Sequence, residues 1–135
     1  MKNVRLHGNS PYQCVVVHGG PGAAGDMSPV ARELSSDFGV IEQLQTGMTV
    51  NTQIEELLTV VQEYAECPTV LIGHSWGAWL SLLAAADHPS LFRLVVLIGC
   101  GGFRDDAGDV TLENRIKRMS KTDMAEFLML YKTIE

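Results

Sequence analysis

The residues of this chain best suited to chemistry are Gly73-His74-Ser75-Trp76-Gly77, a G-x-S-x-G sequence. A serine at the apex of a sharp strand-to-helix turn exposes its hydroxyl for attack on a carbonyl carbon. The flanks can build that turn. Thr69-Val70-Leu71-Ile72 is a short apolar run rich in β-branched residues, which reads as a buried strand. Ala78 to Ala86 is dominated by Ala and Leu, strong helix formers. Glycine at 73 and 77 is required because a Cβ at either position would strike the neighbouring strand or helix. The spacing predicts Ser75 outside the common φ/ψ regions, over a helix N-terminus that favours developing negative charge. The plainer alternative is a turn serine that merely starts a helix.

The elements that must position Ser75 can be read along the chain. Residues 3–8 alternate weakly and predict a short edge strand. Gln13 to Val17 predicts a buried strand, running into the glycine-rich loop His18-Gly19-Gly20-Pro21-Gly22-Ala23-Ala24-Gly25. Ser28-Pro29 predicts a helix start, with Ser28 as the N-cap and Pro29 at the first helical position. Phe38 to Glu42 predicts a second strand. Thr49 to Glu66 predicts a helix with Val50, Ile54, Leu57, Leu58 and Val61 on one face, and Thr52 and Glu55 at capping-box spacing. Leu94 to Ile98 predicts another buried strand after the Ser75 helix. The order β-α-β-α-β-α-β implies an α/β fold with a mostly parallel sheet, helices on both faces and sites at the carboxyl ends of strands. Arg104 to Asp109 reads as a polar turn. Leu112, Ile116 and Met119 suggest a short helix. Ser120 caps a second one, whose apolar face is Met124, Phe127, Leu128, Tyr131 and Ile134.

Composition narrows the class. The chain has 135 residues, 46% hydrophobic and 19% charged, with a net charge of −6. One domain's worth of chain is present, and the acidic balance without a basic cluster argues against a nucleic-acid surface. No run is long enough to span a membrane, and no secretory signal opens the chain. Cys14, Cys67 and Cys100 are an odd number without metal-ligand spacing. Cys14 and Cys100 read as buried thiols, and the expected compartment is a reducing cytoplasm. No cofactor or metal is implied.

With Ser75 in its elbow and His18-Gly19-Gly20-Pro21-Gly22 after the preceding strand, the chain resembles the α/β-hydrolase superfamily. The HGGPG loop is similar to that of proline iminopeptidases and related cytosolic hydrolases. The likeness runs from about Val15 to Phe103. It implies that residues 15–17, 40–42, 70–73 and 94–98 are the third to sixth strands of that fold. Residues 1–104 then form the amino-terminal part of the core, and 105–135 the beginning of a helical cap. It also implies acyl transfer from a small-molecule ester or peptide, with Ser75 as nucleophile. The backbone N–H of Trp76 is then one oxyanion donor. Gly20 is the other, since Pro21 has no N–H. His18, with Gly19, would brace the loop rather than act as base.

The catalytic acid and histidine of that family follow later strands, and this chain offers only His7, His18, His74 and His88. His74 adjoins Ser75 in a sharp turn that splays the two side chains. His88 lies on the order of 18 Å away along the helix. His7 is the nearest remaining candidate. Asp105, Asp106 and Asp109 read as a solvated turn, though some relatives carry the acid there. The resemblance therefore predicts an enzyme with an incomplete triad, a truncated or split form. Its partner would be a complementing carboxyl-terminal half, or a second copy paired along the exposed sheet edge. Two other readings compete. One is a hydrolase scaffold serving as a non-catalytic interaction module. The other is a dinucleotide-binding domain, because Gly20 to Gly25 matches G-x-G-x-x-G and Glu42 stands 17 residues further on.

Overall fold

A computed structural model describes residues 3–20, 22–104 and 106–131. Pro21, Asp105 and Ile134, and the side chain of Tyr131, lie outside the described residues. The chain divides into two units, Met1–Cys100 and Gly101–Glu135.

The first unit is built on a five-stranded sheet in the order β1-β3-β2-β4-β5, formed by β1 (Val4–His7), β2 (Tyr12–Val17), β3 (Gly39–Gln43), β4 (Thr69–His74) and β5 (Phe92–Ile98). β1 runs antiparallel along the edge of β3, and the other pairs are parallel. Parallel neighbours need crossovers, and the helices α1 (Ser28–Leu34), α2 (Val50–Tyr64) and α3 (Trp76–Asp87) provide them. The predicted β-α-β-α-β-α-β order is therefore the observed one.

The alternation of β2 sends its side chains into two cores. Val15 and Val17 join Ile41, Leu57, Val61, Leu71, Leu80 and Ala84 under α2 and α3. Cys14 and Val16 join Met27, Ala31, Val40 and Ile72 under α1. Helices thus cover both faces, and β2 and β4 lie in the middle of the sheet.

Several local expectations are corrected. Ser28 does not cap α1: Met27 is the N-cap residue, and the Ser28 hydroxyl donates to Glu42 Oε1 at 2.6 Å. The capping box of α2 lies one turn earlier than its sequence suggests. Thr49 accepts from the Thr52 N–H at 3.2 Å, and Thr52 accepts from the Thr49 N–H at 3.0 Å. Val50 consequently sits at the first helical position and is exposed, while Leu57 and Val61 are buried. β5 is not a buried strand, because it ends the sheet order and Leu94 stays 54% exposed. Cys100 is half-buried rather than buried, and all three cysteines are free.

The second unit contains α4 (Ala107–Arg118) and α5 (Lys121–Tyr131). Ser120 caps α5, accepting from the Asp123 N–H at 3.2 Å. On α5, Met124 and Phe127 are half-buried, and Leu128, Met129 and Leu130 are exposed.

Candidate active site

Ser75 stands between β4 and α3 with φ 51° and ψ −114°, the one non-glycine residue at positive φ among the described residues. That conformation costs about 1–3 kcal/mol and persists only where the surroundings impose it. Here they are dense. A Cβ on Gly73 would strike the Gly77 carbonyl and the Ala78 Cα, and one on Gly77 would strike the carbonyls of Val17 and His18. Ser75 N–H is tied to the Ile98 carbonyl of β5 at 2.8 Å. The side chain that results is exposed. Its hydroxyl has no hydrogen-bond partner among the described residues.

The glycine-rich loop lies directly against this turn. A Cβ built on Gly19 would stand 3.4 Å from Ser75 Cβ and 3.2 Å from His74 Nδ1. One carboxylate oxygen joins loop to elbow, since Asp26 Oδ2 accepts from Gly19 N–H at 3.4 Å and from His74 Nδ1 at 3.2 Å. The Gly19 N–H is thus occupied. The backbone N–H groups of Gly20 and Trp76 have no acceptor among the described residues.

His18 is fully buried. Its Nδ1 faces the Gly19 carbonyl at 2.8 Å and so donates; its Nε2 faces the Gln45 N–H at 3.0 Å and so accepts. Gln45 Nε2 also donates to the His18 carbonyl at 2.9 Å. Both ring nitrogens are engaged in holding loops together.

The remaining histidines stand elsewhere. His7 Nε2 donates to Glu42 Oε2 at 2.9 Å on β1, three strand positions from β4 and so about 14 Å off at the usual strand spacing. This corrects the expectation that His7 was the nearest candidate base. His88 ends α3 and is exposed. Asp106 pairs with Arg104 at 2.7 Å, and Asp109 is exposed in the first turn of α4. Among the described residues, no histidine is hydrogen-bonded to Ser75.

The dinucleotide reading fails on Glu42. That carboxylate is fully buried and saturated by Ser28, His7 and, at 3.4 Å, Arg5, so it is not free for a ribose hydroxyl. Burial opposes its charge, but the Ser28 and His7 hydrogen bonds and the charge of Arg5 outweigh this and hold its pKa below the ordinary value. The glycine loop also does not open a helix directly, because α1 starts at Ser28.

Sequence reasoning missed Asp26, Gln45 and Gln53. Gln53 had a signal: it stands four residues before Leu57, a polar side chain on the apolar face of α2. It is nearly buried, accepts from Trp76 Nε1 at 2.8 Å and donates to the Gly47 carbonyl at 2.8 Å. The Trp76 indole is thus fastened to α2. No group of three or more His, Cys, Asp or Glu side chains that could hold a metal occurs among the described residues, and none of their helices is long and apolar enough to cross a membrane.

The sequence profile of the alpha/beta hydrolase family matches residues 14–130. The chain belongs to that family. Within it, this alpha/beta hydrolase chain is 28% identical over 129 residues to the 2-(acetamidomethylene)succinate hydrolase of Mesorhizobium japonicum, covering 88% of this chain and 46% of that protein. It is 37% identical over 67 residues to the monoglyceride lipase of Rattus norvegicus, covering 50% and 20% respectively. A solved E-2-(acetamidomethylene)succinate hydrolase superposes with a TM-score of 0.65 at 29% identity, over 83% of this chain and 45% of that one. VinJ superposes at 0.79 with 22% identity, over 96% and 50%, a likeness of fold. This alpha/beta hydrolase chain spans half the length or less of the relatives it matches here.

Proposed function

We propose that the chain carries the nucleophile and oxyanion side of a serine hydrolase acting on a small-molecule ester or peptide. The observation that carries this reading is the strained, exposed Ser75 at the β4–α3 apex with the Gly19–Gly20 loop against it. Ser75 Oγ attacks the substrate carbonyl carbon, and the carbonyl π electrons move onto oxygen. The N–H groups of Gly20 and Trp76 receive that oxyanion. Collapse expels the alcohol or amine and leaves acyl-Ser75, which water hydrolyses. The hydrolase names of the relatives and the HGGPG likeness to proline iminopeptidases support a carbonyl substrate.

The Ser75 proton needs an acceptor. His7, His18 and His74 are each engaged with another residue, and His88 is a helix length away. In this reading a complementing carboxyl-terminal half brings the base, since among the described residues no histidine is hydrogen-bonded to Ser75. The residues present can still leave catalysis about 10³- to 10⁴-fold over water, as oxyanion donors do when triad members are removed.

The test is p-nitrophenyl acetate hydrolysis by the full chain, with and without added imidazole. After subtraction of the rate that imidazole gives without protein, slow turnover that disappears in Ser75→Ala and rises with imidazole in the wild type alone is expected. Turnover identical in wild type and Ser75→Ala at every imidazole concentration would instead favour the non-catalytic interaction module.

A further inference from the structure

The loop of residues 44–49, between β3 and α2, carries no residue of the proposed chemistry. It is nevertheless fastened to both walls of the site. At one end Gln45 makes two hydrogen bonds to His18, through its backbone N–H to Nε2 at 3.0 Å and through its side chain to the carbonyl at 2.9 Å. At the other end the Gly47 carbonyl accepts from Gln53 Nε2, whose Oε1 accepts from the Trp76 indole, both at 2.8 Å. Between them Glu56 accepts from the N–H groups of Thr46 and Gly47, both at 3.0 Å, and from the Thr46 hydroxyl. Gly47 lies close against the start of α2, where a Cβ would come within 2.6 Å of Thr52 Oγ1 and 2.9 Å of the Gln53 backbone nitrogen.

His18 opens the loop that holds Gly20, and Trp76 follows Ser75. Two hydrogen-bonded links, His18–Gln45 and Gly47–Gln53–Trp76, connected through the backbone of residues 45–47, thus join the two segments from which the oxyanion donors come. Nothing in acyl transfer uses a glutamine at 45 or 53. Gln53 also occupies a position of α2 where an apolar residue would serve packing better. The Gln53 amide, with both ends satisfied, is held in one orientation, since each lost partner leaves an unpaired buried group, whereas Gln45 is held through its N–H groups and its Oε1 is buried without a partner.

We propose that the 44–49 loop is a clamp that sets the spacing between the His18–Gly20 loop and the Ser75–Trp76 elbow, with Gln45 and Gln53 as its positioning residues. This rests on the serine hydrolase reading for its purpose, but not for its geometry. Small errors in donor placement weaken oxyanion stabilisation steeply, because the bonds must be short at the moment charge develops.

The test is two-dimensional ¹H–¹⁵N NMR of the full chain, comparing wild type with Gln53→Leu and Gln53→Glu. Gln53→Leu removes both side-chain bonds. Its expected signature is a moved Trp76 indole resonance together with moved Gln45, Gly19 and Gly20 amides, which Gln53 does not touch. Gln53→Glu keeps the acceptor for Trp76 and loses the donor to Gly47. It should keep the indole resonance near its wild-type position while moving the Gln45 and Gly20 amides. In a preparation with Ser75-dependent ester turnover, Gln53→Leu should lower kcat about tenfold with KM unchanged. Changes confined to Trp76 and Gly47 in both variants, with Gly19 and Gly20 unmoved, would overturn the clamp. Absence of Ser75-dependent turnover in the wild type would instead sink the nucleophile reading and leave the NMR shifts to be judged on their own.

Discussion

Ser75 carries strain that its own chemistry does not require a stable protein to keep. At φ 51° a glycine would sit without penalty, whereas serine costs about 1–3 kcal/mol. Ser75→Gly should therefore stabilise the fold by up to about that amount, read as a rise in denaturant midpoint at unchanged m-value. A fall would mean that the turn is not imposed by its surroundings. Glu42 is the second residue with a measurable signature. Its pKa is lowered in the folded state, so the stability it contributes is fully present above the unfolded value, about 4.3, and is lost as pH falls through the folded one. Glu42→Gln should cost about 1–3 kcal/mol near pH 7, from weakened bonds to Ser28 and His7. The gap to wild type should close on acidification, as followed by urea unfolding between neutral pH and pH 3. A gap independent of pH would show that charge on Glu42 is not what matters.

The elements around the elbow were legible because their causes are local. A β-branched run, two small residues four apart and an Ala/Leu run give strand, tight turn and helix from adjacent residues. Gly77→Ala tests that logic directly. Its Cβ would meet the backbone carbonyls of Val17 and His18, which cannot move aside, so a loss of about 1–3 kcal/mol or failure to fold is expected in thermal melts. What the sequence concealed depends on partners far along the chain. Ser28 has the right type and place for an N-cap, but Glu42, 14 residues on, takes its hydroxyl. The exposure of Leu94 depends on whether another strand follows β5 in the sheet, which an apolar run cannot reveal. Gln45, Gln53 and Asp26 gain their roles only once the ends of β2, β3 and β4 and the start of α2 are brought together.

At the scale of the molecule, β5 ends the sheet with Leu94 and Ile98 exposed. Such an edge presents unpaired backbone groups that favour association with another chain. Sedimentation of the full chain should show association that grows with concentration, reduced by Leu94→Lys; equal behaviour of the two would place any association elsewhere. β2, β4 and α3 converge at Ser75. The N–H groups of Gly20 and Trp76 are unpaired among the described residues, and Ser75 is exposed beside their loops. A boronic acid places a tetrahedral, negatively charged centre on a serine oxygen and so mimics the intermediate. Titrating phenylboronic acid into ¹⁵N-labelled chain should shift the Gly20 and Trp76 amide protons downfield together, and neither should move in Ser75→Ala. Shifts that persist without Ser75, or a boronate bound to Ser75 that leaves both amides unmoved, would contradict the assignment of nucleophile and donors.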